Sequence, residues 1–156
     1  MPEPHPSTAP GPGRDQALDR LARAAYSLSA ADSRLRGRAT RTPGTLSLTH
    51  ARALRALAET GPLSIGQLAA ATETTGAATT QLVNGLAAAG YVTRERPADD
   101  KRSVLVALTD TGRRHHRERQ AALAEALDTT LTQYDTTALD AATDVLRQLA
   151  AIYDRL

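Results

Sequence analysis

A chain of 156 residues with no Cys, no Phe and no Trp forms one compact domain, or one smaller module with flanking helices, and has neither a disulfide framework nor a thiol redox switch. Its core must be filled by Leu, Ala, Val and Ile, and such small side chains let helices approach closely, which favours a mainly helical body. The formal net charge is a mild +2, and the bases are all Arg except Lys101, so cations here come as planar forks suited to phosphates and guanine edges.

Residues 1–13, rich in Pro and Gly, are expected to be a flexible leader. From residue 14 to about 36, Leu18, Leu21, Ala25, Leu28 and Leu35 recur at helical steps, and the stripe weakens at Asp32. Arg34, Arg36, Arg38 and Arg41 follow, read either as a solvated helix end and loop or as phosphate-steering charge. Gly37, Pro43 and Gly44 turn the chain. A helix over 47–59 is expected, capped by Thr49, with Ala51, Leu54, Leu57 and Ala58 inward, and Gly61-Pro62 ends it. Leu63 is a short strand or bridge. Ser64 caps a short helix to Ala71, held by Ile65 and Leu68.

A second helix, 75–89, starts a few residues later, with Thr74 or Thr75 as its cap. Leu82, Leu86 and Ala89, with Thr79 and Val83, form its buried stripe. Ala77, Thr80, Gln81, Asn84 and Ala88 form the opposite stripe, with no charge and no large apolar group. Gly90 suits the left-handed position after a helix. Strands Tyr91–Glu95 and Val104–Leu108 follow, the second placing Val104, Val106 and Leu108 inward, with the charged segment Pro97–Arg102 between them. Thr109 caps a helix from Asp110 to about Leu131, with Leu123, Leu127 and Leu131 in a narrow stripe. Thr136 caps the last helix, where Leu139, Thr143, Leu146, Leu149, Tyr153 and Leu156 recur. Stripes that narrow on terminal helices imply a partner helix surface.

The outline is mainly α with a small β-hairpin wing: a winged helix-turn-helix lobe plus N- and C-terminal dimerisation helices. Its parts are a leader (1–13), an N-terminal dimerisation helix and loop (14–44), a DNA-binding lobe (45–108) and C-terminal dimerisation helices (109–156). A DNA-binding transcriptional regulator is the function this outline suggests. An enzyme is not expected, because no Gly-rich phosphate loop, nucleophile motif or acid–base cluster is present. No cofactor and no metal are expected, since neither Cys nor a His/carboxylate cluster stands at ligand spacing. Without an apolar run of spanning length or a secretory signal pattern, a cytoplasmic address and no membrane are expected.

Three segments carry a family resemblance. GPLSIGQLA opens the short helix, LVNGLAAAGYVTR joins the second helix to the first strand, and DDKRSVLVALTDTG holds an Asp-basic-Arg wing followed by Leu-Thr-x-x-Gly. In this order and spacing, across residues 45–112, the chain resembles the MarR family of regulators. The resemblance implies a homodimer bound to double-stranded DNA at a palindromic operator, repression, and release by a small, often aromatic or phenolic effector.

On that reading, helix 75–89 enters the major groove. Thr80, Gln81 and Asn84 bond base edges, with Gln and Asn suited to adenine. Ala77 and Ala78 meet thymine methyls, and Thr75 with the helix N-terminus holds phosphate. The resemblance sends Arg102 into the minor groove, oriented by a bidentate pair with Asp100. Lys101, Arg94 and Arg96 are phosphate contacts. Effector pockets in the family lie between dimerisation helices and DNA lobe, which singles out Tyr26, His50, Arg52 and His115 or His116. Two oddities stand out: no Lys or Arg lies between Thr75 and Ala89, and Gly76 and Gly85 sit within the reading helix at about 1 kcal/mol each relative to Ala. The alternative function is a winged-helix partner- or ligand-binding module that has lost DNA binding.

Overall fold

The computed structural model describes residues 11–42, 45–100 and 102–156. Nearly all of the expected leader, and the Pro43-Gly44 turn, therefore lie outside the described residues. Two compact units divide the chain, Met1–Arg113 and Arg114–Leu156.

The first unit opens with α1 (Pro12–Ala39), two residues earlier than the periodicity predicts and three later at its end. Pro12 explains the start: its ring presets a helical φ and its missing N–H would have had no partner in the first turn. Then come α2 (Leu48–Thr60), β1 (Leu63–Ser64), α3 (Ile65–Thr72), α4 (Gly76–Ala88), β2 (Val92–Glu95), β3 (Leu105–Leu108) and the first turn of α5 (Asp110–Thr130). The strands form an antiparallel sheet in the order β1-β3-β2, so the expected hairpin gains the Leu63 bridge as a third strand, with Leu63 opposite Val106 and Val92 opposite Leu108.

The caps show why the chain breaks where it does. Ser47, not Thr49, caps α2, with an extended ψ of 168°. Its hydroxyl accepts the His50 N–H at 3.3 Å while His50 Nδ1 accepts the Ser47 N–H at 3.3 Å, so a histidine fills the role usually taken by Glu or Gln. Ser64 and Gln67 make the same reciprocal pair at α3, at 3.2 and 2.9 Å. Thr75 caps α4 by accepting the Ala78 N–H at 3.2 Å.

The core lies where α2, α3, α4 and the sheet meet: Leu54, Leu57, Leu68, Val83, Leu86, Val92, Val106 and Leu108 are all buried there. Burying each Leu or Val side chain contributes about 1.5–3 kcal/mol, so this cluster holds the lobe without any aromatic except Tyr91. Two expected core positions differ. Ala58 and Ala89 are exposed, because each falls in the last turn of its helix or just beyond it, past the reach of the packed stripe. On β3 the alternation is partial, since Ala107 is buried along with Val106 and Leu108.

The second unit holds the rest of α5 and α6 (Thr136–Tyr153). Asp135 rather than Thr136 caps α6, accepting the Ala138 N–H at 2.8 Å, and a carboxylate is the stronger acceptor at the positive end of a helix. No residue of α6 is buried, and Leu127 and Leu146 remain about half exposed, at 49% and 50%. Among the described residues, no helix is long and apolar enough to cross a membrane.

Candidate nucleic-acid interface

The angle between α3 and α4 is set by a chain of hydroxyls that the sequence reading did not single out. Thr72 Oγ1 donates to the Leu68 carbonyl at 2.8 Å and meets Thr74 Oγ1 at 2.9 Å. Thr74 Oγ1 meets Thr79 Oγ1 at 2.8 Å, and Thr79 Oγ1 donates to the Thr75 carbonyl at 2.8 Å. Thr72 and Thr79 are fully buried, so these bonds are shielded from competing water. Between the helices Glu73 takes a left-handed conformation at φ 54°, and its carboxylate pairs with Arg52. Glycine adopts that conformation most easily, but Glu73 holds it here, so no Gly in the sequence marks the turn.

Leu82, Val83 and Leu86 anchor α4 in the core and turn its other face outward. Ala77, Thr80, Gln81, Asn84 and Ala88 are all exposed there, with Ala78 and the cap Thr75 exposed at the N-terminal end. Thr80 already spends its hydroxyl proton on the Gly76 carbonyl at 3.0 Å, so toward solvent it offers an acceptor and a methyl group. Asn84 accepts a hydrogen bond from Arg94 of β2. A Cβ built on Gly76 would meet nothing within 4 Å and one on Gly85 would sit 3.6 Å from His50 Nε2, so no crowding within the protein requires either glycine.

The wing tip is organised by Asp100. Its Oδ1 accepts the backbone N–H of Arg102 at 3.0 Å and its Oδ2 accepts the Ser103 hydroxyl at 2.5 Å. The Ser103 hydroxyl, and then the Arg102 N–H, hold the carboxyl below its ordinary value. The acid thus closes a turn in place of the expected bidentate pair with the Arg102 guanidinium. The physical reason is local: an Asp carboxylate reaches backbone N–H groups two residues on more directly than a long side chain can fold back. Arg102, Arg94 and Arg96 are exposed on the hairpin, and Lys101 lies outside the described residues.

Within the first unit, the residues singled out for an effector do not line one cavity. A cavity of about 420 Å³ opens between the end of α1, the start of α2 and the end of α4, lined by Ala39, Thr42, Leu46, His50, Gly85, Ala88 and Tyr91 among others. Of the expected set only His50 lines it. Tyr26 stands 67% exposed on α1, Arg52 is engaged with Glu73, and His115 and the buried His116 belong to the second unit. Tyr91 is the lining residue that sequence reasoning missed; it was read only as the first residue of a strand. Among the described residues, no group of three or more His, Asp or Glu side chains is placed to hold a metal ion.

A short capped helix, a tight turn, a second helix with an uncharged polar outer face and an Arg-bearing hairpin define a winged helix-turn-helix fold. Comparison with known proteins agrees. Residues 45–103 match the model of the MarR family. The fold is similar to that of the transcriptional regulator BldR from Sulfolobus solfataricus, at 26% identity and a TM-score of 0.63, over 91% of this chain and 97% of that one. A probable transcriptional regulator from Pseudomonas aeruginosa is similar at 28% identity and a TM-score of 0.63, over 80% and 95% of the two chains. BpsR from Bordetella bronchiseptica, whose DNA binding is regulated by 6-hydroxynicotinic acid, shares the fold at 23% identity and a TM-score of 0.63, over 86% and 98%. No curated protein matches the chain in sequence. Residues 45–103 thus carry a MarR-family match, within a winged-helix fold shared with solved transcriptional regulators.

Proposed function

We propose that the protein is a homodimeric repressor that binds a palindromic operator and is released by a small aromatic or phenolic effector. The observation that carries the reading is the exposed outer face of α4, which holds Gln81 and Asn84, beside a hairpin that carries Arg94, Arg96 and Arg102. In a symmetric dimer two such helices meet one face of the duplex, so half-sites lie about one helical turn apart. In this reading residues 45–108 contact the duplex, with α4 in the major groove and Arg102 in the minor groove. Residues 14–44 and 109–156 then supply the dimer surface, which accounts for the half-exposed leucines of α5 and α6. The role places the protein in the cytoplasm with its DNA.

The cavity beside His50 and Tyr91 supports the effector part of the reading. It is mostly apolar with a few polar groups, and its volume lies within the range of small-molecule sites. Its floor includes Ala88 and Gly85 of α4, so an occupant there would bear directly on the reading helix. The effect of 6-hydroxynicotinic acid on BpsR is a precedent for aromatic control of this fold.

The test is a gel shift on the DNA upstream of the protein's own gene, repeated across salt concentrations. Binding through phosphate contacts gives a steep linear fall of log affinity with log salt. Arg102→Ala is expected to weaken binding strongly without changing the circular dichroism spectrum. Salt-independent association, or none with any flanking DNA, would leave a winged-helix module without DNA binding.

A further inference from the structure

The bond between Arg94 and Asn84 changes what the reading helix presents to a base pair. A guanidinium only donates, so the Asn84 atom it engages is the carbonyl oxygen Oδ1. Asn84 keeps its two amide N–H donors and one lone pair of Oδ1. Reading adenine needs both a donor for N7 and an acceptor for the N6 amino group, whereas guanine shows two acceptors, N7 and O6. With one Oδ1 lone pair taken and a guanidinium set beside it, the pair as a whole offers more donors than acceptors, which suits guanine better than adenine. Arg94 keeps further N–H groups of its own and brings to this face a cation that α4, Gly76–Ala88, lacks entirely.

The framework on either side fixes the pair. Arg94 stands opposite Val106 in the sheet, and Val106 is fully buried, which sets the register of β2. Val83 and Leu86 are also fully buried and set the rotation of α4 about its axis. Both Arg94 and Asn84 are exposed, so neither is needed for the core. Thr80, one helical turn before Asn84, adds no competing donor because its proton is committed to Gly76.

We propose that Arg94 and Asn84 act as one reader that presents mainly donors, making G·C the base pair preferred opposite them in each half-site. Arg94 is then a specificity-determining residue rather than a phosphate contact. The proposal rests on the DNA-binding reading above. The experiment is selection of full-length protein against randomised duplexes, followed by anisotropy titrations on the selected site with each base substituted in turn. The intact protein is expected to favour G over A at one position per half-site by roughly tenfold. Arg94→Ala removes the guanidinium donors and moves the preference at that position toward A, with other positions unchanged, and Asn84→Ala loses the discrimination there. The double variant discriminates no worse at that position than Asn84→Ala alone. Equal weakening on every sequence by Arg94→Ala, with the salt slope reduced by about one, marks a phosphate contact and overturns the inference alone. If the intact protein enriches no sequence, the DNA-binding reading falls and this inference with it.

Discussion

Gly112, in the first turn of α5, lies against the carbonyl of Tyr91: a Cβ on that glycine would stand 2.0 Å from the oxygen. The same carbonyl accepts the Thr109 N–H at 3.1 Å, the Thr109 hydroxyl donates to the Gly90 carbonyl at 2.6 Å, and the Gly112 N–H donates back to Thr109 Oγ1 at 3.0 Å. Thr109 is thus both the cap of α5 and the tie between the strand end and the Gly90 turn that closes α4. The Leu-Thr-x-x-Gly pattern is the sequence record of this close approach. It needs a hydroxyl at one position and no side chain three residues later.

Gly112→Ala is therefore expected to be among the most damaging single-methyl changes in the lobe. The neighbour is backbone and cannot rotate away, so α5 must shift, and overpacking of this kind costs about 1–3 kcal/mol. A thermal melt should show a fall in Tm of at least a few degrees. An unchanged melt would mean that α5 does not start where it is placed here.

Gly85→Ala should act in the opposite sense. Its Cβ would make an ordinary contact at 3.6 Å with His50 Nε2, and an interior helical glycine costs about 1 kcal/mol relative to alanine. Stability measured by denaturant unfolding should rise by roughly 0.5–1 kcal/mol. Because Gly85 also lines the 420 Å³ cavity, a small aromatic effector should bind the variant less well.

The wing tip should depend on the ionised form of Asp100. Its folded pKa is depressed, so the stabilisation is fully present above the unfolded value of 3.8 and is lost as pH falls through the lower folded value. Protection factors at the Arg102 and Ser103 amides, corrected for intrinsic exchange, should hold from neutral pH down to that range and fall below it. Asp100→Ala should quicken exchange at neutral pH and weaken operator binding several-fold, with no change in the melt of the lobe. Slow exchange in the variant would show that the turn closes without its acid.

The half-exposed stripe of the second unit should be an interface. Leu127→Glu with Leu146→Glu puts charges onto surfaces that are 49% and 50% exposed in the single chain. Light scattering on a sizing column should report a dimer for the parent and a monomer for the variant, with helical content retained. Affinity for the palindrome should fall with the loss of the second half-site contact. A parent that runs as a monomer would remove the dimer from the mechanism.

Much of the fold was legible because it is local. The helices are marked by apolar recurrence at three and four residues. Ser64, Thr75 and Thr109 announce their caps, since a side-chain acceptor three residues before an N–H is a property of sequence spacing alone. Misreadings within this class were small and have a shared cause: Ser47 and Asp135 displaced Thr49 and Thr136 because several hydroxyl or carboxyl residues crowd each helix start, and backbone geometry picks among them.

What the chain's order determined by itself is a short helix, a reading helix whose outer face is small and uncharged, and a hairpin bearing Arg94, Arg96 and Arg102. What only the tertiary structure decided involves partners far apart in sequence or choices among equal local options. Tyr91 comes over Gly112 across 21 residues, Arg94 takes the acceptor of Asn84 across 10, and Asp100 closes its own turn instead of holding a guanidinium. Periodicity reports which way a side chain faces along its own helix or strand. Which atom of another element it meets depends on how those elements pack, and that is settled by the buried leucines and valines between them rather than by the residues that touch.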